Sequence, residues 1–247
     1  MVMRRSISAV SVFLLGLCLS ACDSGDIEEN GYSTADSGLT IRFKAQLNSQ
    51  DDWDGTDYGI VMAGFSDQSN YAVLQRPIPL ASMNGETMEM VMSNVSNSIS
   101  TIELAVTNTL RKRIATFRSI SLENFKGRTD TIDIDLGRIN VSFSGFMQQG
   151  IFNQACIQCH GENGRRAGTL DLTDGMALQQ LIDVPSTQKP GYTRVISGNA
   201  EGSLLRMILH EGGENLLNYN HTEVLSSQFK ESLEDVKKLI DEWINSL

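Results

Sequence analysis

The stretch Cys156-Ile157-Gln158-Cys159-His160 decides how the last third of this chain folds. It places two cysteines three positions apart and a histidine directly after the second cysteine. Two thiols with this spacing on a helical turn reach the two vinyl groups of one porphyrin, and the adjoining imidazole then lies under the iron. The C-x-x-C-H pattern is that of c-type haem attachment. It therefore predicts one covalently bound haem c, held by Cys156 and Cys159, with His160 as an iron ligand.

Two competing uses of this cysteine pair find less support in the sequence. A redox-active dithiol belongs to a thioredoxin-like βαβ unit, and no such pattern surrounds Cys156 and Cys159. A structural zinc site takes four ligands, and no second cysteine pair accompanies the first. Haem attachment is the interpretation that uses every residue of the motif.

The residues around the motif follow the spacing of helices. Phe146 to Phe152 lead into the first cysteine, and Met176 to Ile182 and Ser203 to His210 are predicted short helices. A longer amphipathic helix is predicted at the end, where apolar residues recur at steps of three and four: Leu233, Val236, Leu239, Ile240, Trp243, Ile244 and Leu247. Residues 145–247 are therefore predicted to form a separate small all-α domain that carries the haem.

Residues 146–247 resemble class I c-type cytochrome domains, in particular a subfamily appended to secreted proteins of environmental bacteria. In these domains an aromatic residue four positions before the first cysteine packs against the last helix, and Phe152 and Trp243 match that pair. The other matching residues are Gly150, Cys156, Cys159, His160, Gly161, Ala167-Gly168, Leu170-Asp171-Leu172, Val195 to Leu205 and Ile244. The resemblance implies a cytochrome c fold and a role in electron transfer.

The second axial ligand of the iron is where the sequence departs from that family. The resemblance implies a Met-Pro pair in the loop before the last helix, but no methionine follows Met207. The loop Leu216 to Glu223 carries His221 in about the place expected for the ligand. We therefore expect His160 and His221 to ligate the iron together, which lowers the reduction potential relative to a His/Met cytochrome. His210, Met207 and an open coordination position are the alternatives.

The first 22 residues have the three parts of a bacterial export signal. Two arginines precede the apolar stretch Ile7 to Leu19, and Leu19-Ser20-Ala21-Cys22 follows. This ending resembles a lipobox, in which the cysteine is acylated and becomes the first residue of the mature protein. Stable anchoring takes more than one acyl chain, which a processed Cys22 would carry. We expect an exported lipoprotein on the periplasmic or cell-surface side of a bacterial membrane; an ordinary cleaved signal is the alternative.

Two further regions separate the signal from the helical part. Residues 23–38 are acidic and contain Ser and Gly, which is typical of a flexible tether. From residue 39 onward, short runs with strand-like alternation recur between loops rich in Asp, Asn, Ser and Gly. The predicted strands are Leu39–Leu47, Tyr58–Phe65, Tyr71–Gln75, Thr87–Met92, Ile102–Val106, Ile114–Phe117, Ile132–Leu136 and Ile139–Phe143. Residues 39–144 are therefore predicted to form an all-β, antiparallel, immunoglobulin-like sandwich.

The charge of the chain limits its partners. Its formal net charge is −10, and its one basic run, Arg111 to Arg113, follows Asn108 as in a hairpin turn. Without a basic field to attract phosphates, we expect no nucleic-acid binding. The expected partners are an unidentified redox protein and the membrane, which the chain reaches through its lipid anchor.

Three functions fit these features. The first is a membrane-anchored, one-haem electron carrier whose β-sandwich is a spacer or docking module. The second is a haem enzyme or gas-binding protein, which needs an open distal side. The third is a surface-binding lipoprotein with an ancillary haem domain. No nucleophile elbow, phosphate loop or triad spacing occurs in the sequence, so no catalytic residue is assigned.

Two further clusters of residues weakly indicate metal binding. Met88, Met90 and Met92 alternate along one predicted strand, as copper-binding thioethers do, but the same period buries one face of a strand. Four aspartates around Gly55, at positions 51, 52, 54 and 57, resemble a calcium loop but lack its full 12-residue pattern. We expect the three methionines to lie on a core strand and the four aspartates to lie on a solvated acidic turn.

The lipobox gives the first prediction. Replacing Cys22 with Ser removes the acylated thiol, so the protein should move from the membrane fraction to the soluble exported fraction. Fractionation followed by immunoblotting measures this, with Cys18→Ser as the matched control because Cys18 is removed with the signal. A Cys22→Ser variant that stays in the membrane fraction would place the anchor elsewhere.

Overall fold

Strand β1, Leu39–Asn48, realises the period-two pattern of the sequence. Ile41, Phe43, Ala45 and Leu47 are buried, and the polar residues between them are more exposed. The computed structural model describes residues 38–48, 57–78, 82, 84–210 and 213–247. Within them, β1 is the central strand of a sheet.

The described residues form seven strands in two sheets. The strands after β1 are β2 Tyr58–Phe65, β3 Leu74–Pro77, β4 Asn84–Val95, β5 Thr101–Asn108, β6 Arg113–Ser121 and β7 Ile132–Asn140. One sheet has the order β4-β1-β7, and the other has the order β3-β2-β5-β6. The strand β3 begins three residues later than the predicted Tyr71–Gln75, because Tyr71 makes only an isolated bridge to Lys112.

The expectation of purely antiparallel pairing is wrong at one place. Strands β1 and β7 pair in parallel, with Ile41 opposite Ile132, whereas every other pair of described strands is antiparallel. Parallel neighbours need a long connection, and the chain that forms β2 to β6 provides it.

The two strands predicted at 132–136 and 139–143 are one strand. Gly137 adopts a φ of +70°, and its N–H donates to the Asp135 carboxylate. The register with β1 shifts here, since Lys44 faces Asp135 and Gln46 faces Arg138. The glycine therefore forms a bulge within β7, where the sequence had indicated a break.

The helical part begins directly after β7. Helix α1 consists of three consecutive segments: Phe143–Phe146, a π-helical stretch Met147–Cys156, and Ile157–His160. The later helices are α2 Ala177–Leu181, α3 Leu204–Leu209, α4 His221–Gln228 and α5 Leu233–Ser246. The Ser142 hydroxyl caps α1 by accepting from the N–H of Gly145.

Helix α1 packs on strand β6. The ring of Phe146 meets the ring of Phe117 edge to face, with centroids 6.1 Å apart. At Gly150 a β-carbon would lie 3.3 Å from the β-carbon of Ala115, so the absence of a side chain permits this close approach. The buried residues of the strands and of the helices consequently belong to one continuous hydrophobic core.

Helix α5 joins both parts of the chain. Trp243 is fully buried against Phe152 of α1, with ring centroids 6.1 Å apart, and its indole N–H donates to the Ser144 hydroxyl. Near the start of the helix, Asp235 accepts a hydrogen bond from Tyr58 of β2. The described strands and helices thus form one compact unit.

The coarse prediction of a β-rich part followed by a helical part is confirmed. The immunoglobulin-like and cytochrome-like identities of these parts stay predictions. The signal, Cys22 and tether residues 23–37 lie outside the described residues. No described helix has the length and apolar character needed to cross a bilayer.

Of the two weaker clusters, the structure describes the three methionines completely and the four aspartates only in part. Met92 is fully buried in the core, and Met88 and Met90 pack against it, as expected for a core strand. The acidic positions 51, 52 and 54 lie outside the described residues.

Loss of the buried indole should weaken the whole unit. We expect Trp243→Ala to lower the free energy of unfolding by about 3–5 kcal/mol, because it leaves a cavity between α1 and α5. Urea denaturation followed by circular dichroism measures this. Leu247→Ala at the end of the same helix, where the side chain is 37% exposed, is the control. Equal effects of the two substitutions would contradict the packing described for Trp243.

Candidate functional site

A single cavity brings the four predicted haem-binding residues together. It has a volume of about 580 Å³ and is lined by residues from all five helices, α1 to α5, and from the loops between them. Cys156, Cys159, His160 and His221 all contribute to its wall. Most of the other lining residues are leucine, isoleucine, alanine and other apolar types. The size and the apolar wall are those of a small-molecule or cofactor site.

The two cysteines lie at the end of α1 and are not bonded to each other. Both are free thiols, and Cys159 is exposed. Burial of the Cys156 thiol, together with the nearby Cys159, raises the pKa of Cys156 to about 12. Reactive dithiols work through a lowered thiol pKa, so the environment of Cys156 is unlike that of a redox-active pair.

His160 is oriented by the loop that follows it. Its Nδ1 atom lies 2.9 Å from the carbonyl oxygen of Ala167. A carbonyl can only accept, so Nδ1 carries the proton of the neutral ring and Nε2 keeps its lone pair. This is how a histidine is prepared to ligate a metal.

The loop that supplies this carbonyl has an unusual backbone. Arg165, Arg166, Gly168 and Thr169 all have φ between +50° and +65°, in the left-handed region. The Arg166 side chain donates to Asp171 at 2.5 Å, and Asp171 also accepts from the N–H and hydroxyl of Thr173. These hydrogen bonds, those of Thr173 above all, lower the pKa of Asp171 to about 2. The carboxylate therefore remains charged and holds the loop at neutral pH.

His221 is the first residue of α4, although the sequence had placed it within a loop. The side chain of Asn220 caps this helix by accepting from the N–H of Glu223 at 3.2 Å. The Nδ1 atom of His221 lies 3.1 Å from the carbonyl oxygen of Tyr219, which leaves Nε2 free in the same way as in His160. The Tyr219 ring stands edge-on to the imidazole, 5.5 Å away.

The two imidazoles are nearly parallel and lie close together. Their ring centroids are 6.1 Å apart, and their planes differ by 16°. Bonds between a metal ion and an imidazole nitrogen are about 2.0–2.1 Å long, so rings this close would be able to hold one ion jointly. Burial lowers the pKa of both rings, because a charged imidazole loses its hydration there. Both are therefore kept neutral, as metal ligation requires.

The other two candidates for the second ligand lie elsewhere. Among the described residues that line the cavity, neither His210 nor Met207 occurs. His210 is directed at helix α5, with its Nε2 atom 3.3 Å from the Asp241 carboxylate, though not in hydrogen-bonding geometry. Asp241 also accepts from Arg206. The contact with α5 turns the imidazole of His210 away from the cavity.

Sequence reasoning missed several residues of the site. The carbonyls of Ala167 and Tyr219 act through the backbone, so no side-chain pattern could reveal them. Lys189 and Arg194 line the cavity, and the sequence had not singled them out. One indication was available, since no acidic residue occurs between Asp183 and Glu201 in a chain that contains 30 of them.

Comparison of the chain with models of protein families, with curated proteins and with solved structures finds no match.

The raised pKa of Cys156 gives a prediction for the haem-free protein. We expect Cys156 to react with iodoacetamide at pH 8 at least about a hundredfold more slowly than an ordinary thiol, whose pKa is about 8.5. Its rate should rise about tenfold per pH unit, because the thiolate fraction does. Peptide mass spectrometry measures the rates, and the exposed Cys159 is the internal control. Equally fast labelling of both thiols would contradict the burial of Cys156 and would favour a redox-active dithiol.

Proposed function

We propose that this protein is a c-type cytochrome with one haem, attached through Cys156 and Cys159 and ligated by His160 and His221, and that it transfers electrons. The observation that carries the proposal is the pair of nearly parallel imidazoles, 6.1 Å apart, in a cavity that both cysteines also line. A covalently attached haem supplies a one-electron ferric/ferrous couple.

The donor set and the cavity wall both fit this group. Among the described residues, no cluster of three or more His, Cys, Asp or Glu side chains is arranged to hold a metal ion. A porphyrin brings four nitrogen ligands of its own, and His160 and His221 would be the protein's ligands to its iron. The hydrophobic side chains of Leu204, Ile208 and Leu225 keep water from the buried face.

The proposal favours an electron carrier over an enzyme or gas-binding protein. An iron with two imidazoles has no free coordination position for oxygen, peroxide or carbon monoxide. The carbonyls of Ala167 and Tyr219 fix both rings, so little rearrangement accompanies a change of oxidation state. Because an imidazole replaces a thioether, we infer a lower reduction potential than in His/Met cytochromes.

The finer identity of the two parts belongs to the same proposal. Residues 145–247 would be a class I cytochrome c domain, which the contact between Phe152 and Trp243 supports. Residues 39–144 would be an immunoglobulin-like sandwich, supported by two sheets that share a core. Since α1 and α5 pack on this β-rich part, it would support the haem-binding helices in addition to being a spacer or docking module.

The N-terminal sequence supports a proposal for the cellular setting of the protein. We propose export and lipid anchoring through Cys22, with the haem on the periplasmic or cell-surface side of the membrane. The proposed partner is another redox protein, and the net charge of −10 argues against nucleic acid.

Two measurements on protein made with a c-type maturation system test the function. Haem should stay on the polypeptide through denaturing electrophoresis, and Cys156→Ala with Cys159→Ala should abolish the stain. The spectrum should be low-spin, without the near-infrared band of iron–methionine ligation. His221→Ala should give a high-spin haem that binds carbon monoxide, because it opens one axial position.

The matched control is His210→Ala, which removes a histidine directed at α5 and should leave the spectrum nearly unchanged. If only the His210 variant loses low-spin character, His210 is the iron ligand and His221 is not. Rapid carbon monoxide binding by the wild type would replace the electron-carrier proposal by the enzyme or gas-binding one.

A further inference from the structure

In the described part of the chain, the cavity is lined by basic side chains and by no acidic ones. The chain has 30 acidic residues, yet no aspartate or glutamate is among the described residues that line the cavity. The charged lining residues, apart from the titratable histidines and cysteines, are Lys189 and Arg194. Both belong to the segment 184–200, which contains no acidic residue. The cavity is therefore locally cationic in an acidic protein.

Among the buried and half-buried cations of the described residues, these two differ in having no carboxylate partner. Four further lysines and arginines in the described chain are buried or half-buried, and each lies within 4.0 Å of an aspartate or glutamate: Lys112, Arg113, Arg206 and Lys237. Lys189 and Arg194 are also half-buried, but neither forms an ion pair with any described carboxylate. A half-buried cation is costly without an anion, so this pair is suited to a ligand that brings its own negative charge.

Both side chains belong to the loop between α2 and α3 and have local contacts there. Arg194 donates one hydrogen bond to the carbonyl of Gln180 at 2.7 Å, which leaves its other N–H groups available. Lys189 lies over the ring of Tyr192, with its ammonium nitrogen 5.9 Å from the ring centroid. Ser186, Thr187 and Gln188 precede it in the same wall. Residues of this loop therefore make up a polar part of the lining, whereas the lining residues of α3 are leucine and isoleucine.

We propose that Lys189 and Arg194 bind the two propionate carboxylates of the haem, and that they thereby fix which edge of the porphyrin faces the polar part of the lining. The inference rests on the proposed function, since only a haem in this cavity would bring these carboxylates. An arginine fork can bind a carboxylate with two parallel hydrogen bonds, and an ammonium adds a point charge. Arg194 and His160 line the same cavity, so a haem held by His160 would lie within reach of the guanidinium.

The experiment uses the haem-loaded protein and four variants. Arg194→Gln and Lys189→Gln remove one cavity charge each, Arg194→Lys keeps the charge, and Arg76→Gln removes an exposed charge from β3. Potentiometric titration gives the reduction potential, and redox-linked infrared difference spectra report the propionate carboxylate bands.

We expect the two Gln variants in the cavity to keep covalent haem but to have a lower potential, because a nearby cation stabilises the added electron. The equilibrium constant for reduction should fall about three- to tenfold, and tenfold corresponds to about 59 mV for one electron. The carboxylate bands should shift in these two variants. Arg194→Lys should restore most of the potential, and Arg76→Gln should match the wild type.

The outcomes separate this inference from the proposed function. Haem-loaded Arg194→Gln and Lys189→Gln with wild-type potentials and carboxylate bands would overturn the role given to the two cations, while the cytochrome proposal would stand. A wild type that carries no covalent haem would overturn both. If Arg194→Gln does not fold, Lys189→Gln decides alone, because Lys189 makes no hydrogen bond through its side chain to any described residue.

Discussion

The contact between the rings of Phe152 and Trp243 fixes the positions of the elements that form the cavity. Phe152 lies one turn before the cysteines on α1, and Trp243 lies near the end of α5, so their packing sets the distance between these helices. The Ser144 hydroxyl adds a hydrogen bond to the indole and limits rotation of the ring. Everything at the site is placed relative to α1, because that helix ends in His160.

Backbone carbonyls do the finer positioning of the two imidazoles. Ala167 and Tyr219 each engage an Nδ1 atom, so both rings expose the nitrogen that can ligate a metal. The two supports are built differently. The first is a loop of left-handed residues fixed by the ion pair of Arg166 with Asp171, and the second is the start of a capped helix. Rigid supports of this kind reduce the reorganisation that accompanies ligand binding.

Local periodicity predicted most of the elements, and the interactions between distant residues were beyond it. The predicted bounds of β2 agree with the observed strand, and the C-terminal amphipathic helix differs by one residue, because burial of one face requires those patterns. The parallel pairing of β1 with β7 depends on residues about ninety positions apart, such as Ile41 and Ile132, and no local pattern encodes it. Gly137 was ambiguous, since a glycine with positive φ serves a turn and a bulge equally well.

At the site, the side chains were easier to predict than their surroundings. The motif residues Cys156 to His160 follow from spacing, and His221 followed from the absence of a late methionine. Its position at the start of α4 was readable in principle, because Asn220 and Glu223 have the spacing of a helix cap. Lys189 and Arg194 could not be linked to the cysteines, because only the folded chain brings them into one cavity.

The hydrogen bond from Tyr58 to Asp235 spans 177 positions of the chain, and this separation bears on the order of events during maturation. Contacts between such distant residues form late, since closing a long loop has a high entropic cost. Helix α5 follows all other described elements along the chain and also closes the core around α1. An emerging chain therefore exposes the Cys156 to His160 segment before the cavity exists, and enzymes that attach a cofactor to these thiols would find them accessible during that interval.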